Sequence, residues 1–140
     1  MKIEFSTDIS RVDWTELASV IERAPLGTRD PAKLQMAFSN SALRCFVYGD
    51  GQLIGAGRAI SDGVWRAALF DVVVLPEHQG KGIGTRIIES LLENGNVDVV
   101  MLYAAPGKEE FYRKFGFQRM KTAMAIMDNP ERRREVGYIE

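Results

Sequence analysis

Val74-Leu75-Pro76-Glu77-His78-Gln79-Gly80-Lys81-Gly82-Ile83-Gly84-Thr85-Arg86 is the stretch on which the reading of this chain turns. It leaves an apolar run, Val72-Val73-Val74-Leu75, and enters a helical stripe of Ile83, Ile87, Ile88, Leu91 and Leu92, with Arg86, Glu89 and Glu93 facing away. The segment therefore predicts a junction from a buried strand into an amphipathic helix. The first turn of a helix carries amide hydrogens without internal partners and the positive end of the helix dipole, so it suits an anion. Gly80, Gly82 and Gly84 remove the side chains that would hold phosphate oxygens away, and Lys81 and Arg86 can add charge from the rim.

Outward from the junction, Trp65 to Leu75 reads as one long strand, apolar on both faces at its end and so central in a sheet. Leu43 to Tyr48 and Leu53 to Ile60 read as antiparallel neighbours joined by Gly49-Asp50-Gly51-Gln52, whose Asp-Gly pair suits a tight hairpin. Met1 to Ser6 alternates as a short strand. Asp13 is placed to cap a helix carrying Leu17, Val20 and Ile21 on one face, with Glu16 in the capping-box position. The turn-rich break Pro25 to Pro31 precedes a second short helix, Ala32 to Phe38. After the long helix, Val97 to Ala104 is expected as a second buried strand, Lys108 to Phe115 as a short helix stopped by Gly116, and Thr122 to Met127 as a last strand.

The 140 residues suffice for one core, and a single domain over 1–140 is expected. A composition 46% hydrophobic and 26% charged is that of an ordered globular chain. The net charge of −1 provides no general basic field for nucleic acid or a membrane surface, and Glu131-Arg132-Arg133-Arg134 is read as a solvated tail. The one cysteine, Cys45, lies in an apolar run and has no internal partner, which points to a reducing compartment. With no signal-peptide pattern and no apolar segment near the ~20 residues that span a bilayer, the expected location is the cytoplasm. No pair of histidines or cysteines stands at ligand spacing, so no metal is expected.

Two familiar phosphate loops fail on spacing. The dinucleotide fingerprint needs a third glycine where this chain has Thr85, and the nucleoside-triphosphate loop needs four residues before a Gly-Lys-Ser/Thr triplet. Glycines that merely ease the turn would explain one or two of the three. The pattern Gln79-x-x-Gly82-x-Gly84 after a Val-x-Pro strand end resembles instead the acetyl-CoA motif of the GCN5-related N-acetyltransferases. A second block, Phe111-Tyr112-Arg113-Lys114-Phe115-Gly116-Phe117, is similar to that family's helix-to-strand segment with its tyrosine.

The resemblance implies an α/β (α+β) GNAT fold, with a mixed, mostly antiparallel sheet of about six to seven strands flanked by about four helices. The sheet would be splayed between its two central parallel strands, and the pantetheine arm of acetyl-CoA would lie in the gap. Amides of Val73, Val74 and Leu75 would hold the arm and acetyl group, and the loop Gln79, Gly80, Lys81, Gly82, Ile83, Gly84 and Thr85 the diphosphate. The implied reaction is direct attack of a substrate amine on the thioester, with Tyr112 as the acid at the departing sulfur. Asp71, an acid inside an apolar strand, is the candidate base, although histone-acetylating relatives carry a glutamate nearer Ala68 and water is an alternative relay. His78, in a variable position of the loop, is read as exposed. The acceptor wall is expected from Pro25 to Ser41 and from Arg58, Asp62 and Trp65, with Met36 and Phe38 hinting at an apolar pocket. A small-molecule amine is the expected acceptor, a protein amine or a non-catalytic acyl-CoA sensor the alternatives, and a homodimer stays open.

Overall fold

A computed structural model describes residues 1–140, which separate into two compact units, Met1–Leu102 and Tyr103–Glu140. The first unit contains β1 (Ile3–Ser6), α1 (Trp14–Arg23), α2 (Pro31–Ser39), β2 (Leu43–Gly49), β3 (Gln52–Ser61), β4 (Arg66–Val74), α3 (Ile83–Gly95) and β5 (Val99–Met101). Its sheet runs in the order β1-β2-β3-β4-β5, antiparallel except for the parallel pair β4–β5.

Local chemistry fixes the element ends. The Asp13 carboxylate accepts the amides of Thr15 and Glu16 at 3.0 and 3.1 Å and starts α1. Asp30 caps α2 through the Lys33 amide, and Pro31 sits where its missing N–H costs nothing. Asp50 and Gly51 both have positive φ, 48° and 82°, as a two-residue hairpin turn between β2 and β3 requires.

The sheet is covered on both faces. A Cβ added at Gly57 would lie 2.6 Å from Ile87 Cγ2, so α3 is pressed directly on the β3 backbone there. The next residue, Arg58, points to the other face, where its guanidinium sits 5.7 Å from the Phe38 ring of α2. Beneath α1 and α2, Trp14, Phe38 and Phe46 form a ring cluster with centroids 5.4–6.1 Å apart. Ile87, Ile88 and Leu91 close the α3 side, as their helical spacing predicts.

Two features position the site. The β3–β4 register slips between the pairs Ala56↔Val73 and Arg58↔Phe70, so β4 carries one extra residue there and Asp71 takes a left-handed φ of 55°. The β4–β5 pairing covers only Arg66↔Val99, Ala67↔Val100 and Ala68↔Met101. From Leu69 to Val74 the edge of β4 that faces away from β3 has no strand beside it.

The second unit contains α4 (Glu109–Arg113) and α5 (Pro130–Val136). The basic run expected as a tail belongs to α5, which Asn129 caps through the Arg132 amide and Gly137, with φ 99°, ends. The alternating stretch Thr122 to Met127 forms no strand, and Met124 and Ile126 stand in solvent. Alternation supplies the side-chain pattern of a strand but not the partner edge that makes one. Val97 to Ala104 contracts to the three residues of β5, with Val99 and Met101 exposed rather than buried, because an apolar run does not reveal whether both faces are covered. The sheet accordingly has five strands, where six to seven were expected, and there are five α-helices.

Candidate active site

The glycine loop joins β4 to the start of α3, the strand-to-helix junction expected of it. Leu75 leaves β4, Pro76–His78 make one 3-10 turn, and Gly80 and Gly82 turn left-handed at φ 78° and 80°, Gly82 being the residue on which α3 starts. No side chain caps α3, and a Cβ added at Gly80 or Gly82 would meet nothing within 4 Å. The first amides of a 13-residue helix thus have no side-chain acceptor, and Lys81 is exposed beside them. Arg86 is employed elsewhere: its guanidinium stacks 3.9 Å above the Phe5 ring.

Gln79 tethers the loop, its Nε2 donating to the Val74 carbonyl at 2.9 Å. The Leu75 amide donates to Ile54 O at 2.8 Å and is committed to β3. Antiparallel ladders alternate, so Val73 also turns its polar groups to β3 and Val74 turns its own away. The bond from Gln79 to Val74 O agrees with this. Of the three amides expected to hold the arm, that of Val74 faces the unpaired edge of β4.

Asp71 is not a free carboxylate. Its Oδ1 accepts Arg29 Nη1 at 2.9 Å and its Oδ2 accepts Arg58 Nε at 2.8 Å. The left-handed turn at the extra residue keeps Asp71 on the face of Phe70 and Arg58, whereas strict alternation would send it toward α3. Arg29 and Asp71 lie 42 residues apart, and nothing in the one-dimensional pattern connects them. Of the other expected wall residues, Asp62 accepts the amides of Val64, Trp65 and Arg66, which holds its carboxyl below the usual range, and it serves the β3–β4 turn. Phe38 is core, while Met36 and Trp65 are exposed. His78 buries Nδ1 without a hydrogen-bond partner, so it is not simply exposed.

Tyr112 lies on α4 in the second unit, half-buried between Phe111 and Phe117 with ring centroids 5.1 and 6.0 Å away. Burial raises its phenol above the ordinary value and keeps it protonated at neutral pH.

An open glycine-walled helix terminus stands beside a sheet whose parallel pair parts after three residues, an arrangement suited to the donor of an acyl-CoA-dependent transferase. The chain belongs to the GNAT acetyltransferase family, since that family's acetyltransferase (GNAT) domain model matches residues 41–119, more than half of it. A Pyropia yezoensis protein described as an uncharacterized N-acetyltransferase is 28% identical over 127 residues, covering 83% of this chain and 73% of that one. Among solved structures, a Staphylococcus aureus protein described as a probable acetyltransferase superposes with a TM-score of 0.81 at 23% identity, over 91% of this chain and 100% of the other. A GNAT family acetyltransferase from Brucella melitensis, in complex with acetyl-CoA, matches with a TM-score of 0.64 at 24% identity over 84% of each chain. The chain is an acetyltransferase of this family, and proteins of this fold use acetyl-CoA as donor. No helix is long and apolar enough to cross a membrane.

Proposed function

We propose that the chain moves the acetyl group of acetyl-CoA directly onto the primary amine of a small molecule in the cytoplasm. The observation that carries this reading is the pair of left-handed glycines, Gly80 and Gly82, which leaves the start of α3 bare beside the unpaired edge of β4. Backbone amides of Gly80 to Thr85 hold the diphosphate, with Lys81 adding charge, and the Val74 amide hydrogen-bonds along the arm or to the developing oxyanion.

The thioester supplies an acetyl carbon that an unprotonated amine attacks, forming the C–N bond as the C–S bond breaks. The Tyr112 hydroxyl gives its proton to the departing thiolate and regains one from solvent. The proton shed by the amine goes to water. Asp71 spends both oxygens on guanidinium hydrogen bonds, and we assign it to holding Arg29 and Arg58 rather than to taking that proton.

The test is release of free CoA from acetyl-CoA over a panel of small amines and amine-bearing peptides, read with a thiol reagent. Cys45 is buried and contributes little background. Turnover on small amines supports the reading, and turnover confined to peptides replaces its acceptor. Tight acetyl-CoA binding with no turnover on any amine makes the chain an acyl-CoA sensor instead.

A further inference from the structure

Resting on the acetyl-transfer reading, we propose that Arg29, held by Asp71 and Arg58, forms a subsite for an anionic group, carboxylate or phosphate, on the acceptor amine. Two guanidiniums share a single carboxylate here, which leaves one positive charge without a partner. Side-chain exposure rises outward from the sheet, from 6% at Asp71 and 14% at Arg58 to 33% at Arg29. The uncompensated charge therefore sits where a ligand can reach it, yet partly withdrawn from water, where an unpaired charge is costly.

The donors also remain. Arg58 bonds Asp71 through Nε and the buried Ser41 hydroxyl through Nη1 at 3.2 Å, and Ser41 in turn donates to Ala37 O at 2.8 Å. Those bonds fix the inner guanidinium on α2 and β3. Arg29 bonds Asp71 through Nη1 alone, so its Nε and Nη2 hydrogens are left as a fork suited to a carboxylate or phosphate. The acids nearest in sequence do not compete, since Asp30 caps α2 and Glu77 pairs with Arg23.

Position ties the subsite to the reaction. Asp71 stands in the stretch of β4 that β5 does not cover, three residues before Val74, or about 10 Å along the strand. An amine anchored at Arg29 by an anionic group a few bonds away would be presented toward that edge. A simple alkylamine would leave the charge unpaired. The acceptor is thereby narrowed to short amines that carry a negative charge.

The experiment pairs turnover with direct binding. Turnover is measured on β-alanine, 2-aminoethyl phosphate and neutral propylamine, with the wild type, Arg29→Gln and Arg29→Lys. The expected result is a kcat/KM at least about tenfold higher for one or both anionic amines than for propylamine. Arg29→Gln should collapse that preference mainly through KM, and Arg29→Lys should restore part of it. The two anionic arms separate a carboxylate site from a phosphate site. Calorimetry with N-acetyl-β-alanine and its neutral amide, and with N-acetyl-2-aminoethyl phosphate, reads the subsite without catalysis. If propylamine is acetylated as well as both anionic amines, or if anionic probes bind no better than the neutral amide, the subsite is refuted, and turnover on any of the amines leaves the transferase standing. Arg29-dependent binding of an anionic probe, with no CoA release from these amines or from the wider panel of amines and peptides, would uphold the subsite and overturn the transferase reading.

Discussion

Gln79 Nε2 donates a 2.9 Å hydrogen bond to the Val74 carbonyl, tying the glycine loop back to the last residue of β4. In the proposed donor site, the amide assigned to the arm lies at one end of this bond and the amides assigned to the diphosphate lie at the other. Gln79→Leu keeps the side-chain volume and removes the donor. The expected result is acetyl-CoA affinity lowered by about five- to tenfold, the scale of one neutral hydrogen bond at about 1 kcal/mol, with thermal stability nearly unchanged. Calorimetric titration of the variant checks it, and wild-type affinity would show that the tether does not shape the site.

Gly82→Leu tests the cradle itself. The change adds a side chain in the open space at the residue on which α3 starts and forces an L residue to φ 80°. Acetyl-CoA binding should weaken at least about tenfold, or about 1.4 kcal/mol, and the left-handed conformation should cost about 1–2 kcal/mol of stability. Calorimetry and urea unfolding separate the two effects. Unchanged affinity would remove the loop from diphosphate binding.

Tyr112→Phe removes only a hydroxyl from a half-buried ring, so the packing with Phe111 and Phe117 should persist. Turnover should fall about tenfold or more while acetyl-CoA affinity stays within about twofold, the pattern of a group used only in the transition state. Steady-state rates beside calorimetry make the comparison. A wild-type kcat would leave Tyr112 as a packing residue.

Gly57→Ala probes a close approach that sequence reading passed over. Its Cβ would lie 2.6 Å from Ile87 Cγ2 and 3.3 Å from Leu91 Cδ1, so α3 must retreat from β3 or its side chains must leave their rotamers. Overpacking of this kind costs about 1–3 kcal/mol, readable as a lowered urea midpoint. A variant as stable as the wild type would mean that α3 shifts freely, and the loop it carries would then not be rigidly placed.

What could be read without coordinates were features written locally. The α3 stripe, the Asp13 cap, the Asp50-Gly51 turn and the glycine loop each depend on residues within a turn or two of one another. What could not be read depends on partners far along the chain. Gly57 looks like any strand glycine until Ile87 is placed against it. Asp71 reads as a lone acid in an apolar strand until the extra residue in β4 turns it toward Arg29 and Arg58. The strand expected at Thr122 to Met127 failed for the converse reason, since its alternation is local but its partner edge would have to be remote.

Cys45 provides a pH signature of the folded core. Burial pushes its thiol up to about 11, against smaller opposing contributions from a hydrogen bond with Ser90 and the charge of Arg86. In the unfolded chain the same thiol ionises near its ordinary value of 9.0. The folded value is the higher one, so this contribution to stability is fully present below about pH 9 and is lost as pH rises toward 11. The loss should approach about 1.4 kcal/mol per pH unit inside that window, or about 1.3 kcal/mol between pH 8 and pH 10. Burial raises Tyr48 and Tyr112 in the same direction, so the wild type alone does not isolate the thiol. Urea unfolding of the wild type and of Cys45→Ala at pH 8 and pH 10 does, because the variant keeps both tyrosines and lacks the thiol. The wild type should lose about 1.3 kcal/mol more than the variant between the two pH values, and equal losses would mean that the Cys45 thiol is not withdrawn from water as its place in β2 requires.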